Sequence, residues 1–176
     1  MAKREIVLES FEFTEEDPKF TPRTPYKWMS NDEKESIAHY PYILDAQCPF
    51  CASFKVDGNP VTLRGVVPKG FTYNLADIHW LLEPLTFDKH SPFVKDASFI
   101  HDYMVSRKRE LYEVWDLEAK GIKPLEFKKM TSMIFCHQLK QNGVPYSKAH
   151  LMSTWVDIWQ YTVSEWYNLD KSETVL

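Results

Sequence analysis

The chain has 176 residues, 44% of them hydrophobic, 15% aromatic and 26% charged, which suits one packed domain and excludes an intrinsically disordered protein. A formal charge of −4 excludes broad electrostatic attraction to nucleic acid or anionic lipid. No apolar run reaches the length of a membrane span, so neither nucleic acid nor membrane is an expected partner.

The opening residues, Met1-Ala2-Lys3-Arg4-Glu5-Ile6-Val7, turn acidic too early for a signal peptide. Three cysteines, only two of them close in sequence, do not make a disulfide framework. The expected setting is a reducing cytoplasm. Six Trp, nine Tyr and eleven Phe exceed what a core of this size usually needs; an aromatic-rich core is the favoured reading, and an aromatic surface that meets a partner is the alternative.

Residues 1–45 read as an N-terminal arm. Ile6, Val7, Leu8, Phe11 and Phe13 predict one short strand. Pro18, Pro22, Pro25 and Pro41, with charges between them, then interrupt regular structure. Asn31 to His39 predicts a short helix, capped by Ser30 or Asn31 with Glu33 in its first turn. The arm carries Phe20, Tyr26, Trp28, Tyr40 and Tyr42, expected to pack on the domain itself or on a neighbour.

Residues 46–170 read as a single α+β domain, with 171–176 a frayed tail. Ser53 to Val56 and Val61 to Arg64 alternate polar and apolar side chains around Asp57-Gly58-Asn59-Pro60, which predicts a β-hairpin. Val66 to Phe71 ends the second strand in another turn. Pro92 to Ser106 aligns Phe93, Ala97, Ile100 and Met104 on one helical stripe. Glu126 to Gln141 sets Phe127, Met130, Ile134 and Gln141 on one side, Phe135 and Leu139 on another, so this helix is expected to be central. Asn142-Gly143 stops it, and Pro145 blocks continuation. Ser147 opens a last helix with a broad stripe of Leu151, Met152, Trp155, Ile158, Trp159, Val163 and Trp166. The resulting architecture is a small antiparallel sheet packed by about three longer helices.

Cys48-Pro49-Phe50-Cys51 has the spacing of a redox pair or half a zinc site. It precedes a hairpin rather than opening a helix, which is the wrong context for redox chemistry. Zinc needs further ligands. Cys136-His137 diverge by about 100° on a helix, and His39, His79 and His101 are not selected by spacing. Ordinary buried thiols are the favoured reading, with no cofactor expected and zinc the open exception.

His101-Asp102 lies in the helix from Pro92, His101 at the border of the apolar stripe and Asp102 pointing away. Asn74, Asp77 and His79 follow the Gly70-Phe71 turn and could line a polar site, although Asn74 or Asp77 equally suits a helix cap. His137, beside Met130, Met133 and Ile134, reads as a satisfied core histidine. The chain holds no Gly-rich phosphate loop, nucleophile elbow, His-Glu-x-x-His or calcium loop.

The order of these features is familiar: a hairpin into Val67-Pro68-Lys69-Gly70-Phe71, then Asn74-Leu75-Ala76, Phe99-Ile100-His101-Asp102-Tyr103-Met104, Ile134-Phe135 and Asn142-Gly143-Val144-Pro145. Over roughly Ala52 to Trp159 it resembles a phage and prophage family known only as domain of unknown function 1353. That family shows an Asp where this chain has Asn74, and another where it has Ser132. Only His101 and Asp102 match its polar pattern outright. The resemblance implies a phage or prophage origin, synthesis in the host cytoplasm and no assigned activity.

Three readings follow. The first is a non-enzymatic phage protein, virion-associated or accessory, whose partners are other phage proteins reached through the aromatic arm. The second is a small metal-dependent hydrolase, cell-wall or nucleotide directed, in which His101, Asp102, Asp77 and His79 converge on one ion. The third is an inhibitor of a host defence protein. The missing acids weigh against catalysis, because an amide at Asn74 cannot accept a proton at neutral pH.

Overall fold

The structure is a computed structural model and describes residues 4–73, 92–163 and 166. In chain order its strands are β1 (Ile6–Phe13), β2 (Phe20–Pro22), β3 (Tyr42–Leu44), β4 (Cys48–Val56), β5 (Asn59–Val67) and β6 (Thr72–Tyr73). Its helices are α1 (Asn31–His39), α2 (Pro92–Ser106), α3 (Lys108–Val114), α4 (Pro124–Gln141) and α5 (Tyr146–Val163). The fold is α+β, as the sequence predicts.

The larger sheet runs β1-β4-β5, antiparallel throughout. Along β4 every second residue, Cys48, Phe50, Ala52, Phe54 and Val56, is buried, and the residues between face outward. The hairpin turn is Asp57-Gly58, both at positive φ (50° and 80°), the two-residue geometry whose twist matches that of its strands. Strand β5 therefore begins two residues earlier than the side-chain alternation suggests. Arg4 fastens the start of the chain to this turn: its guanidinium bonds Asp57 at 2.7 Å and Glu126 at 3.2 Å, and meets the Gly121 carbonyl.

The N-terminal segment packs on its own domain. Strand β1 pairs with β4 over Ile6–Phe13, with an irregularity between Leu8 and Ser10, and buries Ile6 and Phe11. A second small sheet, β2-β3-β6, was not legible in the sequence. Its strands are two or three residues long, below the length at which alternation can be read. Arg23 closes this region by bonding the carbonyl of Tyr40 at 2.9 Å, and its own N–H bonds that of Pro41 at 2.8 Å. Helix α1 carries the expected Ser30 cap, with Glu33 returning a bond to the Ser30 N–H at 2.7 Å.

Helix α4 is the hub. Phe127, Met130 and Ile134 enter the main core against the sheet and α2, while Phe135, Cys136 and Leu139 enter a second cluster with Val94, Ala97, Met152 and Val156. Gln141 is exposed and belongs to neither face. The helix ends with the N–H of Gly143 on the Lys140 carbonyl (3.0 Å) and that of Val144 on the Leu139 carbonyl (2.9 Å), as the Asn142-Gly143 signal predicts.

Two expectations are corrected. A separate helix, α3, follows α2, and with Trp115 it buries Leu111 and Tyr112; at seven residues its period was too brief to stand out. The α5 stripe is divided: Met152 and Val156 are buried, but Trp155 and Ile158 are 43% and 49% exposed. The helix has a second apolar side that no described element covers.

Candidate functional site

The His101-Asp102 pair splits between two environments, as the helical wheel implies. His101, on α2, is buried between α4 and α5, with its ring 5.3 Å from that of Phe135. The Gln160 side-chain amide of α5 meets its Nε2. With that N–H donating, the imidazole proton sits on Nδ1, facing Asp102 Oδ1 at 3.4 Å. The ring nitrogen that would ligate a metal or take a proton is thus occupied by an amide. The partner, Gln160, is itself buried.

Asp102 is mostly buried rather than solvated, its side chain 18% exposed. It lines a recess of about 220 Å³ with Tyr40, Thr72, Tyr73 and Ser106. Burial, ahead of nearby Asp96, Tyr42 and Asp102, pushes the Tyr73 phenol far above its ordinary range, so it stays protonated. Asn74, Asp77 and His79 lie outside the described residues. So does the side chain of Phe93.

Cys48 and Cys51 both sit within β4, where residues three apart point to opposite faces: Cys48 inward, Cys51 outward. They do not fit as two ligands of one zinc ion, nor as a redox pair. Burial, with Asp17 and Glu15 adding to it, pushes the Cys48 thiol up to about 11. An activated thiol needs the opposite shift. Cys136 is also buried and raised for the same first cause.

The aromatic residues of the N-terminal segment fall into two groups. Phe20 and Tyr42 serve the fold: Phe20 packs on Tyr73 and Phe99 at 5.2 and 5.0 Å, Tyr42 stacks on Tyr73 at 5.7 Å, and the Lys95 ammonium lies over both rings. Tyr26, Trp28 and Tyr40 face outward, at 55%, 77% and 44% exposure. Tyr26 and Trp28 stack on each other, 5.7 Å apart and only 7° from parallel. The turn from Tyr26 to Met29 (N–H to carbonyl 3.1 Å) and the Ser30 cap hold the pair in place.

One cluster was missed from the sequence. Lys128, 5% exposed, reaches from α4 to the Asp157 carboxylate of α5 at 2.6 Å and to its carbonyl at 2.9 Å. Ser132, one turn on, donates to the same carboxylate at 2.9 Å, and Ser153 donates to the Ser132 carbonyl at 3.0 Å. The i, i+4 spacing of Lys128 and Ser132 was available, but nothing local links it to a residue 25 positions later. The cluster forms one wall of a recess of about 400 Å³ between β1, α4 and α5. His137 lines this recess and is half-buried rather than a core histidine; burial, then Lys140, lowers its pKa below the ordinary value and keeps it neutral near pH 7.

Residues 52–156 match the model of a family described as Protein of unknown function (DUF1353). The chain belongs to that family. No curated protein and no solved structure matches it. The DUF1353 span runs from the middle of β4 into α5 and takes in His101, Asp102 and Lys128, while the Lys128–Asp157 bond reaches one residue past its end. The first 51 residues, including β1, α1 and the exposed Tyr26–Trp28 pair, lie outside it. Among the described residues, no helix is long and apolar enough to cross a membrane, and no three His, Cys, Asp or Glu side chains gather as a metal site.

Proposed function

We propose that this DUF1353 protein is a phage-encoded, non-enzymatic component, virion-associated or accessory, that works by contact with other protein chains. The observation that carries this reading is the stacked Tyr26–Trp28 pair, 55% and 77% exposed on a segment outside the family span. Large, pre-organised aromatic rings bury much area at little conformational cost, which is why they anchor protein interfaces. The uncovered Trp155 and Ile158 on α5 offer a second apolar surface of the same kind. The occupied ring nitrogen of His101 favours contact over hydrolysis, since a ligand or base there would first have to displace Gln160.

The test is quantitative mass spectrometry of particles purified from cells that produce the phage. The chain is expected in particles, or in a stable complex with another phage protein, at fixed stoichiometry. Finding it only as a free chain would contradict the reading.

A further inference from the structure

The recess between β1, α4 and α5 goes beyond the contact reading, because its chemistry suits a small molecule. Its volume of about 400 Å³ falls in the range of small-ligand sites. Ile6, Leu8 and Met133 supply an apolar side. Lys129, Lys140 and His150 supply basic groups. The one carboxylate lining it, Asp157, has its Oδ1 taken up by Lys128 at 2.6 Å and Ser132 at 2.9 Å. Asp157 and buried Lys128 therefore offset each other, and Lys129 and Lys140 leave the recess positive on a chain whose formal charge is −4. Charge of that sign beside an apolar wall selects amphipathic anions.

We propose that this recess binds a small organic anion, a carboxylate or phosphate group on an apolar body. A lysine ammonium of the recess, Lys129 or Lys140, meets the head group, and the body lies along Ile6, Leu8 and Met133.

The experiment is isothermal titration of the full chain at low salt with phenyl phosphate, benzoate and uncharged benzyl alcohol. At least one anion is expected to saturate a single site, with benzyl alcohol weaker by about tenfold or more and affinity falling as salt is added. Whichever anion binds more tightly identifies the head group. The double variant Lys129→Gln/Lys140→Gln, at half-buried and exposed positions, keeps the fold and should lose about tenfold in affinity. Met133→Trp should block binding by filling the apolar side. Equal binding of benzyl alcohol, no saturation by either anion, or full affinity in the double variant would overturn the proposal. None of these outcomes bears on the Tyr26–Trp28 contact, which lies on a different segment.

Discussion

At the scale of single residues, burial is the first cause of the shifts at Cys48, Tyr73, Cys136 and His137. Cys48 is the clearest case. Its thiol is raised from 9.0 to about 11, so the folded state holds a proton that the unfolded chain has already released. Its contribution to stability is complete below about 9 and lost as pH rises to about 11. Wild type should therefore lose stability more steeply over that interval than Cys48→Ala, measured by urea denaturation across pH. Iodoacetamide should label the outward Cys51 in the native protein, and Cys48 and Cys136 only after unfolding. Lys128 and Asp157 form an unequal pair, their side chains 6% and 40% exposed. Asp157→Ala leaves a buried ammonium without its carboxylate and should cost about 3 kcal/mol, while Lys128→Met leaves a carboxylate that water can reach and should cost about 1 kcal/mol. The reverse order in denaturant melts would contradict the assignment of Lys128 as the buried partner.

At the scale of elements, what could be read in the sequence was local. The Asp57-Gly58 hairpin, the Ser30 cap, the Gly143 stop and the two faces of α4 each arise from residues within a turn or two of one another. What escaped was set by distant contacts. Strands β2, β3 and β6 are fixed by partners as far apart as Tyr42 and Tyr73, and no local pattern encodes that pairing. The outward turn of Trp155 and Ile158 was also invisible, because a broad apolar stripe does not say which part of it is covered. The candidate site followed the same rule: the dipeptide His101-Asp102 was visible, but its Gln160 partner, 59 positions away, was not. Phe99 shows how such distant contacts close the fold. From α2 its ring meets Phe13 of β1, Phe20 of β2, Phe71 just before β6 and Tyr73 of β6, with centroids 5.0 to 6.4 Å apart. Phe99→Ala should therefore cost about 4 kcal/mol and loosen both sheets together, seen as one cooperative shift in urea midpoint. Separate transitions for the two sheets would show that this junction does not couple them.

At the scale of the whole molecule, the N-terminal segment serves the fold in one part and exposes aromatic rings in another. Strand β1 completes the larger sheet and Arg4 clasps its hairpin, while Tyr26 and Trp28 leave a rigid aromatic surface in solvent. The residues that complete the sheet and the exposed pair thus lie apart along one stretch of chain, and the proposed contact rests on that separation. The most direct measurement is co-sedimentation of purified chain with phage particles that lack it, comparing wild type with Tyr26→Ala/Trp28→Ala at equal thermal stability. Wild type should pellet with the particles and the variant should bind about tenfold more weakly or worse. A variant that pellets as well as wild type would contradict the proposed Tyr26–Trp28 contact, and a wild-type chain that stays in the supernatant would contradict its virion-associated form.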